Sequence, residues 1–296
     1  WFADYHTYEE IVDWTRKLAS RHANLVQLTP SIGRTHEGRD IPLLRITAPG
    51  DPSPRRRVWL QALQHAREWI SGTTLQYVAQ KLVEGYAAGN SRVVRLLGQV
   101  EFVMIPVANP DGYVYTWTTD RLWRKNRRDN KDGSFGVDLA SNRNWPDHWN
   151  VDGASTEPLA IDYAGTAPGS EPEVQALMRA YLNTPNVVSV LDMHAYSQLL
   201  LRPYGWDDLR DPEEQQYVRL SDELASTIEQ RRGSHYVSQR SYDLYPAAGI
   251  ASDCDVDRQQ RPYSLTIELS PADTDVQGNA GFILPPEEIR QVGEDI

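Results

Sequence analysis

The chain has 296 residues, 24% of them charged, and a formal net charge of -11. An acidic balance of that size argues against nucleic-acid binding, which leaves a basic footprint, and no apolar run approaches the roughly 18 residues that span a bilayer. The length suits one large α/β domain, and no repeat, low-complexity tract or charge block divides it, so residues 1–296 read as a single domain.

Residues 8–21 carry Ile11, Val12, Trp14 and Leu18 at helical spacing, which predicts an amphipathic helix. Residues 25–32 and 41–46 predict strands joined by the turn Glu37-Gly38-Arg39-Asp40. An apolar strand run over 58–63 leads into His65-Ala66-Arg67-Glu68, and 71–85 predicts a helix capped by Ser71. A buried strand over 100–107 runs into Asn109-Pro110-Asp111-Gly112-Tyr113, a turn-forming string. Arg121-Leu122-Trp123-Arg124-Lys125-Asn126 and Ser141-Asn142-Arg143-Asn144-Trp145 follow. A helix over 171–181 then precedes a β-branched strand over 187–193, which ends on His194-Ala195-Tyr196-Ser197. Beyond a helix over 211–231 come Tyr245-Pro246-Ala247-Ala248-Gly249 and a strand over 263–267 that delivers Glu268-Leu269. Strands alternating with helices predict a doubly wound sheet. Such sheets place their ligands beyond the carboxyl ends of strands, which is where both histidine motifs fall.

An H-x-x-E string alone is weak, because a surface His and Glu at the start of a helix produce it equally well. With His194 as a third donor it outlines a zinc site: two imidazoles, one carboxylate and an open fourth position. Zinc so held lowers the pKa of a water toward about 7 and polarises a carbonyl, which is hydrolytic chemistry. Glu268 follows a strand that reads as buried, where an unpaired carboxylate is costly and needs a use.

Taken in this order and spacing, from about Tyr5 to Ile289, the motifs resemble the zinc metallocarboxypeptidases of the carboxypeptidase A/B family, the funnelins. The resemblance implies a mixed, largely parallel eight-stranded sheet flanked by helices on both faces. It implies one zinc ion per chain, held by His65, Glu68 and His194. Glu268 would be the general base and Arg124 the cation that stabilises the oxyanion. Asn142, Arg143 and Tyr245 would grip the substrate's terminal carboxylate, a group that suits the planar fork of an arginine. Arg67, Tyr196 and Phe282 match positions contacting substrate further from the scissile bond. Asp138 is the candidate to hold the second ring nitrogen of His65, although two more residues separate it from Asn142-Arg143 than the family string has. The resemblance further implies a monomer that acts on peptide or protein C-termini, is secreted, and is made with an N-terminal propeptide.

The pocket for the terminal side chain is expected to include Leu201, Gly205, Ala247, Ile250 and Thr266. Counting forward from Tyr245 puts Ser252 on its floor; counting back from Glu268 puts Asp253 there. A serine floor predicts apolar and aromatic C-termini and an aspartate floor predicts Lys and Arg; the string Ser252-Asp253-Cys254 favours the serine. The lone Cys254 has no intramolecular disulfide partner and reads as a small buried hydrophobe. Two rival functions stay open: a non-catalytic relative acting as a binding module, and a different zinc hydrolase on the same fold. Retention of Glu268, Arg124, Asn142 and Arg143 weighs against the first, and an intact Asn-Arg pair with Tyr245 against the second.

Overall fold

The computed structural model describes residues 1–50, 55–139, 143–253 and 263–296. Its centre is an eight-stranded mixed sheet, as expected from the sequence, built from β1 (Val26–Thr29), β2 (Leu43–Ile46), β3 (Arg56–Ala62), β4 (Val100–Ile105), β5 (Val187–Ser197), β6 (Leu199–Arg202), β7 (Val237–Arg240) and β8 (Tyr263–Ala272). The order across the sheet is β1-β2-β4-β3-β5-β8-β6-β7. The four central strands β4, β3, β5 and β8 are parallel, and antiparallel pairings bring in β2 on one side and β6 on the other.

Alternation along the strands assigns the two faces. On β3 and β4, Leu60, Ala62 and Met104 point to one core, where they meet Trp14 and Leu18 of α1 (Tyr8–Arg21), Leu75 and Ala79 of α2 (Trp69–Ala87) and Leu97 of α3 (Ser91–Gln99). Trp59, Val103 and Ile105 point the other way, against Val174, Leu177 and Tyr181 of α5 (Pro172–Leu182). Between these, α4 (Pro110–Thr118) is capped by Asn109, whose side chain accepts from the Gly112 N–H. Near the C-terminus, Ile289 and Val292 of α8 (Glu288–Asp295) close a third cluster with Tyr77 of α2 and Ile228 of α6 (Glu214–Arg232). Gly293 permits this approach, since a Cβ there would lie 2.6 Å from the Tyr77 ring.

The expected elements are present with adjusted ends. The strand expected over 25–32 spans only Val26–Thr29. Ser71 does not cap α2, which starts two residues earlier at Trp69. Its hydroxyl instead donates to the Glu68 carbonyl and accepts from the Leu63 N–H, fastening the turn that carries His65. Helices α3, α4 and α8 and strands β6 and β7 were not expected from the sequence, and the string Asn109–Tyr113, read there as a turn, caps and begins α4.

The start of α5 holds a buried ionisable cluster. Glu171 accepts from Arg128 and Asn126 and meets the His36 Nε2 at 2.8 Å, while Glu173 accepts from Asn126 and the His36 N–H. Burial, with the Glu171 and Asp111 carboxylates nearby, pushes the Glu173 carboxyl up to about 7. A folded-state pKa above the unfolded one contributes stability that is complete below the unfolded value of about 4.3 and is lost as pH rises through 7. Glu173→Gln removes this titration. Its stability relative to the parent, followed by thermal unfolding, is therefore expected to improve by about 1 kcal/mol or more between pH 5 and pH 8. A difference that does not change with pH would contradict the assignment.

Candidate zinc and catalytic site

The site lies at the carboxyl ends of β3, β5 and β8. Parallel pairing sets His194 of β5 beside Glu268 of β8, and Asp192 beside Thr266. These four share one face, because they alternate with Met193, Ala195, Ile267 and Leu269, which point into the apolar clusters behind. At the end of β3 the chain turns through Leu63, whose φ is 56°. The His65–Glu68 segment follows, and Glu68 stands at the N-cap of α2 without using its side chain as a cap. That carboxylate is directed at the histidines instead.

His65, Glu68 and His194 are buried, and their donor atoms converge. His65 Nδ1 lies 2.7 Å from Glu68 Oε1, His194 Nδ1 lies 3.0 Å from Glu68 Oε2, and the two Nδ1 atoms are 3.1 Å apart. Tetrahedral zinc with ligands at about 2.0–2.1 Å holds its donors roughly 3.3 Å from one another. The donor set therefore fits that ion in size and chemistry. Burial opposes the charge on His194, but Asp192 and Glu68 outweigh it and raise its affinity for a proton. The same field favours a divalent cation. Burial also opposes the charge on Glu68, and the two imidazoles reverse that balance, holding its carboxyl well below the usual range.

Each imidazole is backed by a carboxylate on its far side. His65 Nε2 is 3.2 Å from Asp138 Oδ1, and His194 Nε2 is 3.1 Å from Asp192 Oδ2. Asp138 thus takes the place beside His65 that the sequence left open. Its other oxygen accepts from both Nε and a terminal nitrogen of Arg124, at 3.1 and 2.9 Å. Burial works against the charge on Arg124, but Asp138, with Tyr245 and Glu68, more than offsets this and keeps it cationic. Asp192 is held in turn by Gln64, whose Nε2 donates to it at 2.6 Å while its Oε1 accepts from the Trp145 indole.

Glu268 is half-buried beside this group. Burial raises its carboxyl to about 8, aided by Glu68 and Asp192 and opposed by His194 and Arg124. Arg143 is buried, with Asp162 at 4.0 Å, and burial and the neighbouring Arg124 weaken its hold on its proton. Tyr245 is 45% exposed at the mouth, just after the short helix α7 (Ser241–Leu244). Asn142 and Cys254 lie outside the described residues. On the outer rim, Arg67 stacks 4.0 Å over the Phe282 ring, which meets Tyr196 edge-on at 5.0 Å. At the pocket end, Ser252 lies within 3.4 Å of the Thr266 hydroxyl, while Asp253 accepts from the Gly205 N–H at 2.8 Å.

Three contributors were not singled out from the sequence. Asp192 had a signal, being two residues before His194 and hence on the same strand face. Gln64 had only its place next to His65. Arg121 donates to the carbonyls of Arg67 and Phe282, tying the metal motif to the rim; in the sequence it is one of several basic residues between 121 and 131. Asp192→Asn is expected to lower zinc affinity by about 10- to 100-fold, the range for an outer partner of a ligating histidine, as measured by competition with a chromogenic chelator. Unchanged affinity would mean that Asp192 does not hold the ligand.

With this geometry in hand, comparison with known proteins is informative. A sequence family described as zinc carboxypeptidase matches residues 11–296. A metallocarboxypeptidase A-like protein of Trichophyton verrucosum is 34% identical over 300 residues, spanning all of this chain and 68% of that protein. An inactive metallocarboxypeptidase of Blastomyces gilchristii, ECM14, is 35% identical over 320 residues, covering all of this chain and 52% of the relative. The crystal structure of thrombin activatable fibrinolysis inhibitor superposes with a TM-score of 0.90 at 30% identity, covering 99% of this chain and 72% of that one.

Proposed function

Because the chain belongs to the zinc carboxypeptidase family, and is therefore a zinc-dependent metallopeptidase acting at C-termini, we propose that it is an active enzyme that releases single apolar residues from peptides with a free terminal carboxylate. The observation that carries this reading is the buried His65–Glu68–His194 cluster flanked by a carboxylate, Glu268, and two cations, the half-buried Arg124 and the buried Arg143. His65, Glu68 and His194 would hold the zinc, which supplies Lewis-acid chemistry toward water and the scissile carbonyl. With that charge bound nearby, the Glu268 carboxyl would fall from its raised value of about 8, which suits a group that takes a proton from water and returns it to the departing amine. Arg124, fixed by Asp138, would meet the negative charge that grows on the carbonyl oxygen.

Arg143 gives the exopeptidase character. A buried guanidinium that has lost solvation gains most from a carboxylate that can accept two parallel hydrogen bonds, and Asn142 and Tyr245 would complete the grip. Glu268, Arg124 and Arg143 are all retained, which favours catalysis over the non-catalytic alternative. For the terminal side chain, Ser252 rather than Asp253 would form the floor, since the Asp253 carboxylate is committed to the Gly205 N–H. An apolar preference follows. Secretion, a propeptide and a monomeric state belong to the same reading and rest on the family resemblance.

The test compares free-acid and C-terminally amidated forms of one peptide. The amide is expected to lose about 100-fold or more in kcat/KM, because it removes a charge-assisted pair worth a few kcal/mol. Arg143→Ala is expected to slow the free acid and largely erase the difference. Equal cleavage of both forms by the parent protein would remove the carboxylate grip and favour a different zinc hydrolase.

A further inference from the structure

Room for the terminal side chain is set by a short stretch stapled at both ends to one glycine. Gly205 accepts from the Ala247 N–H at 2.7 Å and donates to the Asp253 carboxylate at 2.8 Å. Between these anchors, Ala248 donates to the Asp152 carbonyl at 3.0 Å and the Gly249 carbonyl accepts from Trp145 at 3.2 Å. Gly249 has φ +73°, and a Cβ there would stand 3.0 Å from the Trp145 carbonyl oxygen, so this backbone has one place to lie. It presents Ile250, which is buried and whose Cδ1 would be 3.0 Å from a Cβ on Gly205. Ile250 therefore occupies the space that the bare glycine opens. Being β-branched, it has little rotamer freedom with which to withdraw.

The cavity whose lining includes Leu201, Tyr245, Ala247, Ile250, Thr266 and Glu268 has a free volume of about 10 Å³. That is space for about one water, whereas a cavity that takes a benzene ring measures about 150 Å³. Overfilling a packed wall forces side chains and backbone to shift, which is unfavourable. We infer that Ile250 closes the side-chain pocket to aromatic residues and restricts the enzyme to peptides ending in small side chains, of which alanine is the best fit. This inference rests on the exopeptidase reading above and narrows its apolar preference to the small end.

The test uses the zinc-loaded protein and N-blocked dipeptides that differ only in a C-terminal Ala, Val, Leu or Phe. The expected order is Ala or Val first and Phe last, with kcat/KM for Ala at least about 10-fold above Phe. Ile250→Ala is expected to raise Phe relative to Ala by about 10-fold or more, and Ile250→Val to change the order little. Preference for Phe or Leu in the parent protein overturns this inference and leaves the exopeptidase reading standing. An unchanged order in Ile250→Ala removes the role of Ile250. Release of no residue from any of the four, with zinc bound, overturns the exopeptidase reading and this inference with it.

Discussion

Two imidazoles with their Nδ1 atoms 3.1 Å apart form an arrangement that the rest of the molecule must hold in place. Neither ring can turn freely, because each has a carboxylate at its Nε2 side, Asp138 for His65 and Asp192 for His194. The carboxylates are themselves fixed, Asp138 by Arg124 and Asp192 by Gln64 and through it Trp145. Orientation is thus passed inward to the imidazoles from the groups around them. The parallel sheet supplies the remaining coordinate, since the pairing of β5 with β8 sets the separation of His194 and Glu268.

Burying this many charges is unfavourable unless they compensate one another. Glu68, Asp138, Asp192 and Glu268 face Arg124, Arg143 and Arg67, and the Glu268 carboxyl is raised chiefly by burial, with Glu68 and Asp192 adding to the rise and His194 and Arg124 opposing it. A divalent cation between the imidazoles and Glu68 would oppose that rise from close by. The carboxylate that folding alone would keep protonated then becomes available as a base. Metal binding and the readiness of Glu268 for proton transfer are, on this account, one electrostatic event.

Much of this was legible in the sequence because strands of the central sheet write their burial into every second residue. The apolar runs leading to His65, His194 and Glu268 announced three strands, two of which continue past the site to Ser197 and Ala272, and motif order supplied the rest. Strand β7 was not legible: Val237-Ser238-Gln239-Arg240 is short and polar, as a sheet-edge strand often is. Helix α3 carries Val93, Leu96 and Leu97 at helical spacing but is only nine residues long, shorter than the window over which that periodicity is read. Asp192 was passed over because an acid inside an apolar run reads as an interruption until its partner across the site is known. The size of the side-chain pocket could not be read at all, since it depends on how Ile250 and Gly205 meet from distant parts of the chain.

The most direct test of the account is a crystal structure of the zinc-loaded protein with its metal content measured. One zinc per chain is expected, with His65 Nδ1 and His194 Nδ1 at about 2.0–2.1 Å, the Glu68 carboxylate at about 2.0–2.2 Å, and both Nε2 atoms still facing Asp138 and Asp192. Absence of stoichiometric zinc, or ligation through Nε2 with the aspartates displaced, would contradict it.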